Sequence, residues 1–163
     1  MSGPSPIAGG DLDWVLGLNQ AHETETSPLT PARLAAMVDA AFYARAAEAP
    51  GAFLLAFDQA AAYDSPNFLW FRERFERFVY VDRIVVAGTH RRRGLARALY
   101  DDLFAVARAA GHERVVCEVN SDPPNPGSDA FHAALGFETV GEARLEGRGK
   151  TVRYLVCRLQ SAL

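Results

Sequence analysis

Residues 78–111 contain the feature that most constrains the fold, a strong strand followed by a bend and a long helix. The strand candidate, "FVYVDRIVVAG", is rich in β-branched and aromatic residues. The helix candidate, "LARALYDDLFAVARAAG", places three leucines and Val106 at helical spacing and stops at Gly111. A chain that contains this unit is predicted to combine a sheet with helices packed against it.

The length and composition are those of one globular domain. The chain has 163 residues, so we expect one domain over residues 1–163. Hydrophobic residues make up 49% and charged residues 23% of the chain, the usual balance for a globular protein. The formal net charge of -3 argues against nucleic acid or an anionic membrane as the partner of the whole chain. No signal peptide and no apolar run of about 18 residues is present, so we expect a cytoplasmic protein without a membrane span.

The rest of the chain predicts alternating helices and strands. The first half shows a short strand near Ile7, a helix ending near Ala21 and a second helix that starts after the cap Thr30 and runs to "APG". A strand over residues 52–59 follows, and then an ambiguous aromatic segment that could start a helix at Ser65.

The second half predicts a strand, a short helix and a hairpin. The strand covers residues 113–120, and the short helix "SDAFHAALG" is expected to be capped by Ser128. "FETVGEARLE" and "TVRYLVCRL" read as a closing antiparallel hairpin. Cys117 and Cys157 lie in apolar strand candidates without metal-type spacing, so we expect buried thiols and no metal site.

The bend between the strong strand and the long helix suits a phosphate. A helix leaves its first backbone N–H groups unpaired and is partly positive at its start. Gly94 would let a phosphate approach the main chain without meeting a Cβ. The bend matches neither the Walker A loop nor the dinucleotide fingerprint. The three arginines at 91–93 also suit nucleic acid, an alternative that the acidic net charge disfavours.

Two motifs carry a resemblance to a known family. Residues 91–96, "RRRGLA", fit the pattern [QR]-x-x-G-x-[GA]. Downstream, the motif N-x-x-A-x-x-F-Y-x-x-x-G-F has its six defined positions from N to the final F occupied, in order, by Asn125, Ser128, Phe131, His132, Gly136 and Phe137. With the order of elements over residues 78–159, these motifs resemble the GNAT superfamily of acyl-CoA-dependent N-acyltransferases, in which the first motif binds pyrophosphate.

The resemblance implies a fold and a cosubstrate. The fold is α/β (α+β), a single-domain mixed and mostly antiparallel sheet flanked by helices, and the cosubstrate is acetyl-CoA without a metal. Strand residues would pair with the pantetheine arm, the bend would surround the pyrophosphate, and Asn125 would contact the cofactor or order its loop. The implied cofactor-binding residues are Val85, Val86, Arg91, Arg92, Arg93, Gly94, Leu95, Ala96, Arg97, Asn125 and Ser128.

Three residues are candidates for proton transfer. Asp82 falls where some family members carry a carboxylate base, although it could instead pair with Arg83 or another cation. Glu118, on the neighbouring strand, is the second candidate. His132 stands where many members have a tyrosine that protonates the leaving thiolate, and it could either donate a proton or only hydrogen-bond there. Tyr80 and Tyr154 are alternative phenols.

The implied activity is transfer of an acetyl group from acetyl-CoA to a primary amine by direct attack. The alternative is a non-catalytic module that binds acyl-CoA as a sensor or scaffold, because position 132 lacks the tyrosine. Acidic residues of the N-terminal segment (Asp11, Asp13, Glu23 and Glu25) could favour a cationic acceptor or simply form a solvated surface. A homodimer also stays open, because family members often dimerise.

Overall fold

The computed structural model describes residues 3–22, 28–122 and 124–160. This part of the chain forms a seven-stranded sheet in the order β1-β2-β3-β4-β5-β7-β6, in which β4 and β5 are parallel and the other neighbours antiparallel. The strands are β1 (Ser5–Pro6), β2 (Tyr43–Ala47), β3 (Ala52–Asp58), β4 (Val79–Val86), β5 (Arg114–Asp122), β6 (Glu138–Leu145) and β7 (Lys150–Arg158). The helices are α1 (Leu12–Ala21), α2 (Pro31–Ala40), α3 (Pro66–Arg72), α4 (Leu95–Ala109) and α5 (Pro126–Leu135). The predicted fold class is confirmed.

Helices cover both faces of the sheet. α1, α2 and α3 pack on one face, here called the α2 face, where Val15, Leu34 and Phe68 are fully buried. α4 and α5 pack on the opposite face, the α4 face, where Leu99 and Leu103 are fully buried. Burying one such side chain contributes about 1.5–3 kcal/mol, so both layers stabilise the sheet between them. Among the described residues, no helix is long and apolar enough to cross a membrane.

The second helix is shorter than predicted. Thr30 caps it as expected, because its hydroxyl accepts a hydrogen bond from the N–H of Arg33 at 3.1 Å. The helix nevertheless ends at Ala40, and the predicted continuation to "APG" is wrong because residues 43–47 form β2. Alanines favour helix locally, but Tyr43 and its neighbours pair along β3 and are buried against the sheet. Tertiary packing overrides the local preference.

The prediction that Ser128 caps the short helix is also wrong. α5 begins two residues earlier, at Pro126, and its cap is Asn125. The Asn125 carbonyl oxygen Oδ1 accepts from the N–H of Ser128 at 3.3 Å. An asparagine before a proline at the first helical position is a favourable start, so the helix begins there and Ser128 lies inside it.

β4 contains a bulge at Asp82. The residues on either side of Asp82 pair with consecutive residues of β3, Leu55 and Ala56, so Asp82 is an extra residue in the ladder. Side chains alternate along a strand, and one inserted residue reverses that alternation. Tyr80 lies before the bulge and Val85 after it. Both consequently lie on the α2 face, although an odd number of positions separates them and a regular strand would place them on opposite faces.

β4 and β5 pair over a short distance and then separate. In the described chain two residue pairs join them, Val79–Val115 and Tyr80–Val116. β4 continues to Val86 and β5 to Asp122 beyond these pairs. A gap therefore opens in the middle of the sheet, and the polar residues Asp82 and Glu118 lie on the two strands that border it.

Candidate active site

The bend after β4 leads into the N-terminus of α4. Gly94 has a left-handed backbone with φ of 74°, and Arg92 also has a positive φ of 66°. The first helical bond runs from the N–H of Ala98 to the carbonyl of Gly94 at 2.9 Å, so the amides of residues 95–97 have no partner inside the helix. These amides and the positive end of the helix form a site for an anion.

A groove of about 530 Å³ extends from this bend along the gap on the α4 face. Six of the predicted cofactor-binding residues line it: Val85, Val86, Arg91, Ala96, Asn125 and Ser128. The other five, Arg92, Arg93, Gly94, Leu95 and Arg97, belong to the bend and the first turn of α4 but not to the groove wall. Leu95 is buried in the core, and the Arg93 guanidinium lies 3.9 Å from the carboxylate of Glu48.

A second cavity, of about 880 Å³, lies on the α2 face. Its walls come from α2, the segment leading into α3, strands β4 and β5, and the β6–β7 turn. Three residues line both this cavity and the groove on the α4 face: Asp82, Arg83 and Glu118. The two cavities therefore meet in the gap between β4 and β5, at the predicted carboxylates.

Glu118 lies at this meeting point, where it is half-buried and hydrogen-bonded. Its Oε1 accepts from the hydroxyl of Tyr80 at 2.6 Å and from the side-chain amide of Asn67 at 2.9 Å. Its Oε2 has one longer contact, 3.0 Å from the same Tyr80 hydroxyl. Burial raises the pKa of Glu118 to about 7, and the hydrogen bond from Tyr80 opposes this rise. Glu118 can thus exchange a proton near neutral pH.

Asp82 has a different environment, because it pairs with a buried cation. Its Oδ2 accepts from Nε of Arg83 at 2.6 Å, and the two side chains are only 5% and 4% exposed. Its Oδ1 accepts a short hydrogen bond from the hydroxyl of Tyr63. Arg83 in turn donates to Oδ1 of the buried Asn19 at 2.9 Å. The Asp82 carboxylate is therefore the anionic half of a buried ion pair that fixes Arg83.

His132 is buried in the wall of the groove, with both ring nitrogens in contact with polar groups. Its Nδ1 lies 2.8 Å from the carbonyl of Ser128, which only accepts, so this nitrogen carries the proton. Nε2 of the neutral ring then accepts from the hydroxyl of Tyr100 at 2.8 Å. Burial lowers the pKa of His132, which favours the neutral ring. The phenol beside the groove thus comes from Tyr100 of α4.

Sequence reasoning did not identify four residues of the site: Tyr63, Asn67, Arg83 and Tyr100 were not candidates in their own right. Tyr63, Asn67 and Tyr100 act on predicted residues of other elements of the chain, so no short-range spacing could mark them. Arg83 directly follows Asp82 and was named only as its possible pairing partner. Asn67 shows the difficulty best. It lies in a segment whose structure the sequence left ambiguous, yet it joins Glu118 to the hydroxyl of Tyr154, which donates to Asn67 at 2.9 Å.

Residues 18–137 match the profile of the acetyltransferase (GNAT) family. The match covers most of the chain and includes the bend, the gap and α5. The chain belongs to the GNAT acetyltransferase family. A search of curated proteins gave no match.

Solved structures of N-acetyltransferases share the fold. The ribosomal-protein-S18-alanine N-acetyltransferase of Escherichia coli aligns with a TM-score of 0.72 at 16% identity, covering 100% of this chain and 97% of that one. Arabidopsis thaliana NAA60 in complex with acetyl-CoA gives 0.73 at 17% identity, with 96% and 97% covered. The NatC complex bound to Gag peptide and CoA gives 0.71 at 12% identity, with 96% and 98% covered. At these identities the likeness shows the fold alone.

Proposed function

We propose that residues 1–163 form one enzyme domain, an acetyl-CoA-dependent N-acetyltransferase that acetylates a primary amine by direct transfer. The observation that carries this proposal is the position of Glu118, a carboxyl group with a pKa of about 7 in the wall of both cavities. A group that titrates near neutrality at the meeting point of two cavities is suited to take a proton from one bound molecule while it reacts with another.

The groove on the α4 face fits acetyl-CoA. The N–H groups of residues 95–97 would hold the pyrophosphate, and Gly94 leaves open space there, because a Cβ at this position would meet nothing within 4 Å. The unpaired edge of β4 near Val85 would pair with the pantetheine arm. Bound there, acetyl-CoA supplies an acetyl group activated as a thioester. The fold shared with NAA60, which was solved with acetyl-CoA, supports this assignment.

Glu118 is the proposed base. A lysine-like amine with a pKa of about 10.4 costs about 4.6 kcal/mol to deprotonate at pH 7, and an α-amine with a pKa of about 8 costs about 1.4 kcal/mol. Oε2 of Glu118 is the oxygen available to take that proton, since Oε1 already holds two donors. The acceptor enters as an ammonium ion and gives up two protons. One proton ends on the sulfur of the released thiol and the other reaches solvent.

Asp82 and His132 are proposed to position other groups. Asp82 holds Arg83 at the gap through the buried ion pair, so its oxygens are committed to structure. His132 holds the hydroxyl of Tyr100 against the groove. A neutral ring whose proton points to the Ser128 carbonyl has none to give to a leaving group.

Direct transfer is favoured over a covalent acyl-enzyme. Cys117 is the cysteine in the wall of the groove. Burial raises the pKa of its thiol well above the ordinary value, so the reactive thiolate is scarce. Rapid release of free CoA from acetyl-CoA in the absence of any amine would contradict this part of the proposal.

The test is thiol release from acetyl-CoA with a panel of primary amines. We expect turnover with at least one amine, and a loss of about 100-fold in kcat for Glu118→Gln, with acetyl-CoA affinity by calorimetry changed less than twofold. The matched control is Glu113→Gln, an exposed glutamate just before the same strand, which should retain full activity.

Two results would contradict the proposal. Tight binding of acetyl-CoA without turnover on any amine would favour the non-catalytic module. Full activity of Glu118→Gln would assign the base to another group, and Asp82→Asn would then be the next variant to measure.

A further inference from the structure

The cavity on the α2 face carries an excess of positive charge, although the chain is acidic. Its charged lining residues are Arg33, Arg83, Arg148 and Lys150 against Asp64, Asp82 and Glu118. Arg83 and Asp82 neutralise each other in their buried ion pair. Glu118, with a pKa of about 7, carries only a partial charge at neutral pH. Among the described residues of the cavity wall, three cations then face one full carboxylate, that of Asp64.

The three cations come from two separate walls of the cavity. Arg33 lies in the first turn of α2, with its guanidinium 5.5 Å from the ring centre of Tyr63. Arg148 lies in the β6–β7 turn, and Lys150 opens β7. No ion pair found within the described residues involves any of the three. Their charges are available to a molecule that enters the cavity.

We propose that the acceptor of this enzyme is an anionic amine, a primary amine that also carries a carboxylate or phosphate group held by Arg33, Arg148 and Lys150. This inference rests on the proposed N-acetyltransferase function. Arginine and lysine side chains bind both kinds of oxygen anion through charge-assisted hydrogen bonds. The anionic group would be held at these cations while the amine end lies at Glu118, which lines the same cavity.

The two described acidic residues of the N-terminal segment, Asp11 and Asp13, do not oppose this assignment. Asp11 accepts hydrogen bonds from the indole of Trp14 and the N–H of Ala8, and neither Asp11 nor Asp13 lines the cavity. Glu23 and Glu25 lie outside the described residues. The expectation of a cationic acceptor, drawn from these four residues, therefore has no support from the two that the structure describes.

The test compares acceptors in matched pairs that differ by one anionic group. One arm sets free α-amino acids against their carboxamides, and a second sets phosphoethanolamine against ethanolamine. A third sets short peptides with an aspartate side chain against the same peptides with asparagine. The amino acid is the more basic amine of the first pair, so free-base availability favours the carboxamide. A preference for the acid must therefore come from recognition of its charge.

The variants Arg33→Gln and Arg148→Gln test which cations bind the anionic group of the acceptor. We expect each to raise KM for the preferred anionic acceptor about fivefold, the size of one partly exposed ion pair, with kcat and the KM for the neutral partner unchanged. The matched control is Arg144→Gln on β6, which removes an exposed arginine of the same hairpin that does not line the cavity. Its kinetics should be those of the unmodified protein.

The outcomes separate this inference from the function on which it rests. Preference for the anionic member in any arm, reduced by the two variants but not by the control, supports it, and the arm identifies the source of the anion. Equal or better use of the neutral members, or equal losses on both members of a pair, would overturn it while leaving the acetyltransferase intact. No turnover with any amine, with acetyl-CoA bound, would overturn the function and this inference together.

Discussion

The two cavities that meet at the gap differ in the groups that form them: backbone groups in one and side chains in the other. The groove on the α4 face ends in a bend where backbone amides and one left-handed glycine make the site. The cavity on the α2 face is made by side chains from α2, α3, β4, β5 and the β6–β7 turn. A backbone site is specified by a short run of sequence, whereas a side-chain site requires the whole fold. The first suits a ligand common to a family, and the second suits a substrate particular to one member.

The largest expected effect is a change in stability, and it should have opposite signs for substitutions of the two carboxylates that border the gap. Asp82→Asn removes the anion from a buried ion pair and should lower the free energy of unfolding by about 3 kcal/mol. Glu118→Gln should act in the opposite direction. Between pH 4.5 and 7 the unfolded state loses the Glu118 proton before the folded state does, so stability falls as pH rises. Glu118→Gln removes the cost of ionising this group in the folded state, and should therefore raise the free energy of unfolding by at most about 3 kcal/mol at pH 8.

Urea denaturation at pH 5 and pH 8 measures both changes. The gain from Glu118→Gln should fall to about a quarter of its pH 8 value at pH 5, where the group is protonated in the folded state but mostly ionised in the unfolded state. Destabilisation of similar size by both substitutions would mean that the two carboxylates do the same structural work. The contrast between a pairing group and a reacting group would then be lost.

A smaller effect tests the backbone site. Gly94→Asp adds a negative charge where the pyrophosphate is proposed to bind and forces a side chain into a left-handed conformation. We expect the dissociation constant for acetyl-CoA to rise by about 100-fold, the sum of charge repulsion and backbone strain. The control Gly88→Asp adds the same charge in the preceding exposed turn, where φ is not positive. Calorimetry showing equal affinity for both variants would refute the proposal that the bend binds the pyrophosphate.

The smallest effect tests how the hydrogen bond from Tyr80 sets the pKa of Glu118. Tyr80→Phe removes the hydrogen bond that most lowers the pKa of Glu118, so that pKa should rise by about one unit. A base acts when deprotonated, and the acid limb of the kcat/KM profile should move from near pH 7 to near pH 8. Tyr154→Phe is the control, because the Tyr154 hydroxyl donates to Asn67 instead of Glu118. Equal shifts in both variants would contradict the assignment of the base.

The fold and the backbone site could be predicted from the sequence because their signals are local. Gly94 and the strand before it are adjacent in the chain, and their pattern needs no tertiary information. β2 could not be predicted, since the alanines of residues 43–47 favour helix until β3 is present to pair with them. Asp82 and Glu118 were both candidates, and the sequence left a pair between Asp82 and its neighbour Arg83 open. Their ranking also depended on Tyr63 and Asn67, which only the folded chain brings close.

The extra residue at Asp82 has a consequence for how the chain tolerates insertions and deletions. Each strand residue advances the chain by about 3.3 Å and reverses the direction of its side chain and amide. Deleting one residue at the bulge would move the bend relative to Glu118 by about 3.3 Å. It would also reverse which backbone amides of β4 point towards the gap. The bulge thus sets the distance between the proposed pyrophosphate site at the bend and the proposed base Glu118. We expect residue count between Tyr80 and Gly94 to matter more for activity than residue identity at most positions in between.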